Sequence, residues 1–277
     1  MKMEKIEVAQ CNLCGESRSK LKYQVDGFNI VQCATCRLIY LKNPLSIAAE
    51  QELYDDYYKI SFSQDYHRNS AEPGLRTLWE INDHRVQLIK NLFPEGRLLD
   101  VGSGQGFFLY HARQHGFSVT GVDVSSRAVE FCEQTFHIKV HLQNINEDFN
   151  FDEKFDVITM WHILEHVSDP LGFVTRIRRL LSPQGRLIIE VPNINSLKFR
   201  LASARHRWIG GNHPRHHKYF FSWKTLRQLL IKAGYDSVEK LNLNYDLSKH
   251  SLPKRFVKKF LKHANLDSFL NAQASGN

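Results

Sequence analysis

The sequence predicts an α/β fold: a doubly wound, mostly parallel sheet preceded by a small cysteine-rich unit. Three observations carry this expectation. Apolar runs and segments of helical spacing alternate from Thr77 to Ala233, and such alternation builds a parallel sheet with helices on both faces. The first apolar run, Leu98-Leu99-Asp100-Val101, breaks into Gly102-Ser103-Gly104-Gln105-Gly106. Glycines there allow backbone angles that other residues avoid and let a ligand come close. Ahead of it, Cys11 and Cys14, then Cys33 and Cys36, form two C-x-x-C pairs. The 277 residues are 42% hydrophobic, enough for one large core and a small appendage.

The cysteine pairs stand 18 residues apart, as C-x2-C-x18-C-x2-C. This lies inside the spacing window of a four-thiolate zinc site. Each pair sits on a tight knuckle, with short strands such as Lys22-Tyr23-Gln24-Val25 between them. Four thiolates complete a tetrahedron and leave no position for water, so the zinc is expected to be structural. A redox pair is the alternative. Residues 1–43 read as this zinc ribbon. Cys132 stands alone on an expected helix and reads as a small buried residue.

Paired cysteines of this kind suit a reducing compartment. The start, Met1-Lys2-Met3-Glu4-Lys5, lacks the apolar core of a signal peptide, and no run approaches the roughly 18 apolar residues of a membrane span. A cytoplasmic location is the expectation. Residues 44–80 read as a connector that carries Leu53-Tyr54-Asp55-Asp56-Tyr57-Tyr58 and a polar stretch near 61–70. Its tyrosines either cover a ligand pocket as a lid (54–70) or pack the ribbon against the main domain.

The main domain, 81–277, is entered on a helix running from Thr77 to Phe93. Strands are expected near 97–102, 117–122, 138–142, 155–160 and 185–191. Helices are expected near 106–115, 125–136, 171–181 and 222–233. The glycine spacing is G-x-G-x-G, with Phe107 where a dinucleotide loop has its third glycine. Such a loop lacks the shape for phosphates and suits a nucleoside without them. Asp123 follows Gly106 by 17 residues, at the tip of Val119-Thr120-Gly121-Val122, where a carboxylate holds two ribose hydroxyls.

These residues resemble the class I methyltransferases that use S-adenosylmethionine (SAM), within their methyltransferase-23/11-like group. The resemblance continues through Phe155-Asp156-Val157-Ile158-Thr159-Met160-Trp161 and Leu164-Glu165-His166, similar to that group's fourth strand and following loop. Leu181-Ser182-Pro183-Gln184-Gly185-Arg186-Leu187 resembles its L-x-P-G-G-x-L entry to the fifth strand, with Gln184 in place of a glycine. Phe221-Ser222-Trp223-Lys224-Thr225-Leu226 and Ala233-Gly234-Tyr235 resemble a late helix of the group. The match covers about residues 80–241.

The resemblance implies a Rossmann-like sheet of seven strands, mostly parallel with an antiparallel last strand. Residues 235–242 and 267–274 would supply strands six and seven. It places Asp100, Gly102, Ser103, Gly104 and Gly106 on the methionine and ribose side of SAM. Asp123 takes the ribose, while Val124, Asn144 and Ile145 border the adenine. Met160 and Trp161 lie beside the reacting methyl.

His162-Ile163-Leu164-Glu165-His166 also spells H-x-x-E-H, an inverted zinc-protease signature that requires a helix. Here it follows a buried strand, so hydrolysis is not expected. The loop resembles that of ubiquinone-pathway O-methyltransferases, which place acidic and histidine ligands for a divalent ion there. His162 stands where that subgroup has an acid. The candidate general bases are His162, His166 and His217, since imidazole titrates near neutrality. Capping and orienting the loop is the alternative role of Glu165 and His166.

Net charge is +8, and residues 196–263 carry 16 Lys+Arg against 3 Asp+Glu. Arg205, Arg207, Arg215 and His216 lie in a stretch, about 194–221, read as a substrate-facing insertion that grips an anionic acceptor. A solvated basic surface is the competing reading. Residues 253–263 form a short amphipathic helix, which packs on the domain or lies on an anionic membrane.

The expected activity is methyl transfer to a small or carrier-linked acceptor, a hydroxyl of an anionic sugar, glycan or metabolite. RNA methylation is the second reading, weakened because between Cys11 and Cys36 the ribbon carries only Arg18, Lys20 and Lys22 against Glu16 and Asp26. A non-enzymatic zinc-dependent interaction module is the third.

Overall fold

A computed structural model of the chain describes residues 4–46, 48–50, 73–146, 151–201, 213–241 and 269–275. The expected lid 54–70, Arg205, Arg207 and the helix at 253–263 lie outside the described residues.

The chain opens with the antiparallel strands β1 (Ser19–Val25), β2 (Phe28–Cys33) and β3 (Ile39–Leu41). Asp26 and Gly27, both at positive φ, make the β1–β2 turn. Helix α1 (Pro73–Lys90) leads to β4 (Gly96–Val101), α2 (Phe107–Gln114), β5 (Phe117–Asp123), α3 (Ser126–Phe136) and β6 (Val140–Leu142). Then come β7 (Phe155–Trp161), α4 (Pro170–Arg178), β8 (Leu181–Pro192), α5 (Leu197–Leu201), β9 (Tyr219–Phe220), α6 (Trp223–Lys232), β10 (Ser237–Lys240) and β11 (Phe269–Ser275).

Seven strands form one sheet in the order β10-β11-β8-β7-β4-β5-β6. The pairs β4–β5, β5–β6, β4–β7 and β7–β8 are parallel, and β11 runs antiparallel to both neighbours. Strand β4 is the switch point: the chain moves outward through β5 and β6, then returns to its other side with β7. Sheets of this kind bind ligands outside the carboxyl ends of their strands at such a switch point, here beside β4 and β7.

Three elements differ from expectation at their boundaries, the first being α1, which spans Pro73–Lys90 rather than Thr77–Phe93. Strand β8 starts at Leu181 rather than near 185, and α4 ends at Arg178 rather than 181. Phe155 pairs with Leu181 before the register shifts to Val157–Arg186. Pro183 sits within that irregularity, the one place a strand tolerates a residue without an N–H.

A further strand was not expected at all. β9 pairs with β3, through Ile39–Phe220 and Tyr40–Tyr219. The smaller sheet is therefore β1-β2-β3-β9, and the stretch read as a substrate-facing insertion ends as part of the ribbon. The core follows the same plan. Cys11, Leu13, Cys33, Leu38 and Tyr40 share one apolar cluster with Ile158, Phe173, Leu226 and Leu229. The opposite face of the sheet packs Leu98, Phe108, Leu109 and Cys132 against α1 residues Val86 and Ile89.

Candidate functional site

The glycine loop joins β4 to α2 across the switch point. Gly102, Gly104 and Gly106 all have positive φ, at 76°, 52° and 78°. A Cβ on Gly102 would meet Ile163 Cδ1 at 2.1 Å, and one on Gly106 would meet Cys132 Sγ at 2.2 Å. A Cβ on Gly104 would meet nothing within 4 Å, so this glycine borders open space. The N–H groups of Gly102 and Ser103 donate to the Val122 carbonyl at 2.8 and 3.1 Å, tying the loop to β5.

Asp123 ends β5, 3% exposed. Its Oδ2 accepts from Gly104 N at 2.7 Å and its Oδ1 from Ser125 N at 2.9 Å. With Val124 N also bonded to this carboxylate, about one acceptor site is left for a ligand hydroxyl. Burial raises the Asp123 pKa, with the N–H donors opposing it. Asp100, at the end of β4, accepts a 2.6 Å hydrogen bond from Thr159 Oγ1. Burial pushes its pKa up to about 7 against that bond.

Val124 is 40% exposed beside Asp123, an apolar surface at the strand tip. Asn144 and Ile145 follow β6, with Asn144 Oδ1 turning back to Asn146 N at 3.0 Å. Gln143 N bonds the Asp123 carbonyl at 2.9 Å, so this turn lies next to Asp123. Met160 is fully buried, and Trp161 lies under Arg85, whose guanidinium carbon is 4.3 Å from the ring centroid.

Beyond β7 the chain turns sharply at His162, a non-glycine residue at φ 60°. Such a conformation is uncommon and persists where the surroundings enforce it. His162 Nε2 lies 3.1 Å from Glu190 Oε1 and its Nδ1 3.4 Å from Glu165 Oε1. Burial alone would lower the His162 pKa. The two carboxylates override it and hold the ring cationic, with a pKa of about 9. Arg85 Nη2 also donates to Glu190, at 2.5 Å.

Glu165 is fully buried, its Oε1 facing His162 Nδ1 at 3.4 Å and His166 Nε2 at 4.0 Å. His166 and His217 meet edge to face, ring centroids 4.6 Å apart. One donor atom from each of Glu165, His166 and His217 lies within 4.8 Å of the others. His166 Nδ1 is 2.7 Å from the His216 carbonyl. A carbonyl only accepts, so Nδ1 carries a proton, while Nε2 faces Glu165 Oε1 at 4.0 Å. Burial, then the neighbouring His166, lower the His217 pKa to about 3, leaving that ring neutral. Three candidate histidines therefore converge on Glu165. Of the expected acceptor residues, Arg215 is exposed and His216 half-buried.

Sequence reasoning missed Arg85 and Glu190. Glu190 carried a legible signal, a lone carboxylate inside Leu187-Ile188-Ile189-Glu190-Val191. Arg85 carried none, since a cation on a helix is usually solvated.

The four ribbon cysteines are free, with Cys11 Sγ 3.5 Å from Cys36 Sγ and Cys14 Sγ 3.5 Å from Cys33 Sγ. Sulfurs bound to one zinc at 2.3 Å lie about 3.8 Å apart in a tetrahedron. The donor set fits a closed structural zinc. Burial pushes the Cys11 thiol up to about 11, so a buried thiolate there calls for a cation.

The profile of the methyltransferase domain family matches residues 76–240 of the chain. This chain belongs to that family. Among relatives, a ubiquinone biosynthesis O-methyltransferase of Cereibacter sphaeroides is 30% identical over 160 residues, 54% of this chain and 64% of the relative. One from Paracidovorax citrulli is 31% identical over 164 residues, 56% of this chain and 69% of the relative. The chain thus spans less than two thirds of the Cereibacter relative.

Solved structures share the fold. A SAM-dependent methyltransferase of Thermotoga maritima, described as a possible histamine N-methyltransferase, superposes with a TM-score of 0.54 at 20% identity. It covers 82% of this chain and 99% of its own. The 1,6-didemethyltoxoflavin N1-methyltransferase of Burkholderia thailandensis, with its substrate and S-adenosylhomocysteine, gives 0.52 at 16% identity, covering 93% and 100%. In this methyltransferase-family chain the matched region holds the glycine loop, Asp123 and Glu165, and excludes the ribbon. No described helix is long and apolar enough to cross a membrane.

Proposed function

We propose that this chain binds SAM and transfers its methyl group to a hydroxyl oxygen of a small acceptor. The observation that carries the reading is two features at the carboxyl ends of the central strands: Gly104 bonded to Asp123 beyond β4 and β5, and the buried Glu165–His166–His217 group beyond β7. The names of the sequence relatives support an oxygen acceptor.

The glycine loop takes the methionine and ribose portions, Asp123 a ribose hydroxyl, and Val124, Asn144 and Ile145 the adenine. Met160 and Trp161 wall the methyl. The acceptor oxygen forms a bond to the methyl carbon as the carbon–sulfur bond breaks, leaving S-adenosylhomocysteine. Most of the acceleration comes from holding the two partners in line. The acceptor proton goes to His166 Nε2, with Glu165 Oε1 4.0 Å away to stabilise the imidazolium that forms. His162, held cationic between two carboxylates, fits an orienting role better than that of a base. A second reading has a divalent cation on Glu165, His166 and His217, lowering the pKa of the acceptor hydroxyl. The convergence of one donor atom from each of these three residues favours it.

The basic run at 196–263 supports an anionic acceptor, whether a metabolite or a carrier-linked sugar. SAM labelled in its methyl group, incubated with the protein and fractionated cell extract, tests the reading. Label is expected in a small polar or lipid-linked fraction and absent with Asp123→Ala, which should weaken SAM binding at least about tenfold, the worth of one charge-assisted bond. Label in RNA would replace the acceptor class. Undiminished SAM binding in Asp123→Ala would remove the pocket from these strand ends.

A further inference from the structure

We infer that the cysteine ribbon is part of the reaction centre, with Asn12 as a positioning residue for the loop that carries Glu165 and His166. This deepens the methyl-transfer reading and rests on it for the loop's role.

The ribbon grips the segment Glu165–Leu171 at two points. The first is direct. Asn12 lies in the knuckle between Cys11 and Cys14, whose turn is closed by Cys14 N and Gly15 N on the Cys11 carbonyl. Its Oδ1 accepts from Leu171 N at 3.0 Å, and its Nδ2 donates to Asp169 Oδ1 at 2.5 Å. Asp169 is the N-cap of α4 and accepts from Gly172 N at 3.0 Å. One knuckle side chain therefore completes the cap of the helix that follows the reactive loop. Lys232 of α6 fixes the same knuckle by donating to the Leu13 carbonyl at 2.7 Å.

The second grip runs through β9. Lys218 N and Tyr219 N both donate to the Glu165 carbonyl, at 2.8 and 3.2 Å. Tyr219 Oη donates to the Ser168 carbonyl at 3.0 Å, and Lys218 Nζ to Ser168 Oγ at 2.8 Å. The strand that makes these bonds is hydrogen-bonded to β3, and Leu41 N reaches the Lys218 carbonyl at 2.8 Å. Just upstream, His213 Nε2 is 3.0 Å from Asp26 Oδ2 in the β1–β2 turn. His216 and His217 are thus strung between two ribbon attachments, while His166 leans on the His216 carbonyl. The sheet alone orients β7 up to Trp161. The main domain holds the loop through His162 N on the Glu190 carbonyl and Ser168 N on Asn146 Oδ1, and the ribbon adds the ties that bring Glu165, His166 and His217 to one point. Zinc acts here only by fixing the cysteines that flank Asn12.

Amide hydrogen exchange on the zinc-loaded full chain tests this. In Asn12→Ala, exchange across Glu165–Gly172 is expected to rise about five- to tenfold, the loss of one cap interaction. The zinc content stays at one per chain and SAM affinity is unchanged, because Gly104 and Asp123 lie on other elements. Asn12→Asp keeps an acceptor for Leu171 N but sets a second carboxylate against Asp169, and is expected to raise exchange across the same residues.

Nitrogen-15 spectra of the histidines give a readout that loss of packing elsewhere would not move. The wild type should show His166 Nδ1 protonated and hydrogen-bonded, and Asn12→Ala a mixture of protonated and unprotonated Nδ1. Exchange within twofold of wild type, or acceleration confined to residues 8–16, would overturn the inference. Failure of the wild-type chain to bind SAM would remove the methyl-transfer reading instead, leaving the exchange result to decide the coupling.

Discussion

Gly102 concentrates the constraints on the cofactor loop in one residue. It needs φ 76°, and a methyl group there would penetrate Ile163. Strain and overpacking together should make Gly102→Ala cost about 3 kcal/mol, read from urea unfolding midpoints. Gly104→Ala has similar φ but open space, so it should cost about 1 kcal/mol and act mainly on SAM affinity. At Asp100, burial raises the pKa from 3.8 to about 7. The folded state then holds that proton more tightly than the unfolded chain. Its contribution to stability is complete below about pH 4 and is lost as pH rises through about 7. Asp100→Asn should remove that loss, so the stability difference between variant and wild type should grow from pH 4 to pH 7. All these residues were legible in the sequence, because glycine and a lone carboxylate in an apolar run are unusual local choices. The pairing of His162 with Glu190 was not, since the two lie on neighbouring strands far apart in the chain.

Elements with strong local signals formed where the sequence places them. Helix α6 begins at a capping box. Ser222 Oγ accepts from Thr225 N, while Thr225 Oγ1 accepts from Ser222 N. Leu226, Leu229 and Leu230 then bury one face. Ser222→Ala should destabilise the chain by about 1 kcal/mol in chemical denaturation, with SAM binding retained. The central strands were equally readable, being near-continuous apolar runs bounded by glycine or charge. β9 was not: two residues, Tyr219-Phe220, carry no period. Its strand character comes from the free edge of β3, a partner distant in sequence. The early start of β8 has the same origin, because Leu181 becomes strand only by pairing with Phe155.

At the scale of the molecule, ribbon and sheet share one core and one set of hydrogen bonds. Cys11 and Cys33 are buried in the apolar cluster that contains Leu226 and Leu229. Removing zinc with a chelator should therefore lower the temperature of a single unfolding transition in scanning calorimetry. A separate low-temperature transition for the ribbon is the contrary result. The two cysteine pairs, the glycine loop and the alternation of elements were determined by sequence alone. Each rests on local chemistry: ligand spacing, backbone freedom and the periodicity of apolar side chains. Only the tertiary structure decided that the ribbon closes over the loop after β7 and that three histidines meet at Glu165. Those contacts join residues some 50 to 160 positions apart, and no local pattern encodes a partner at that distance.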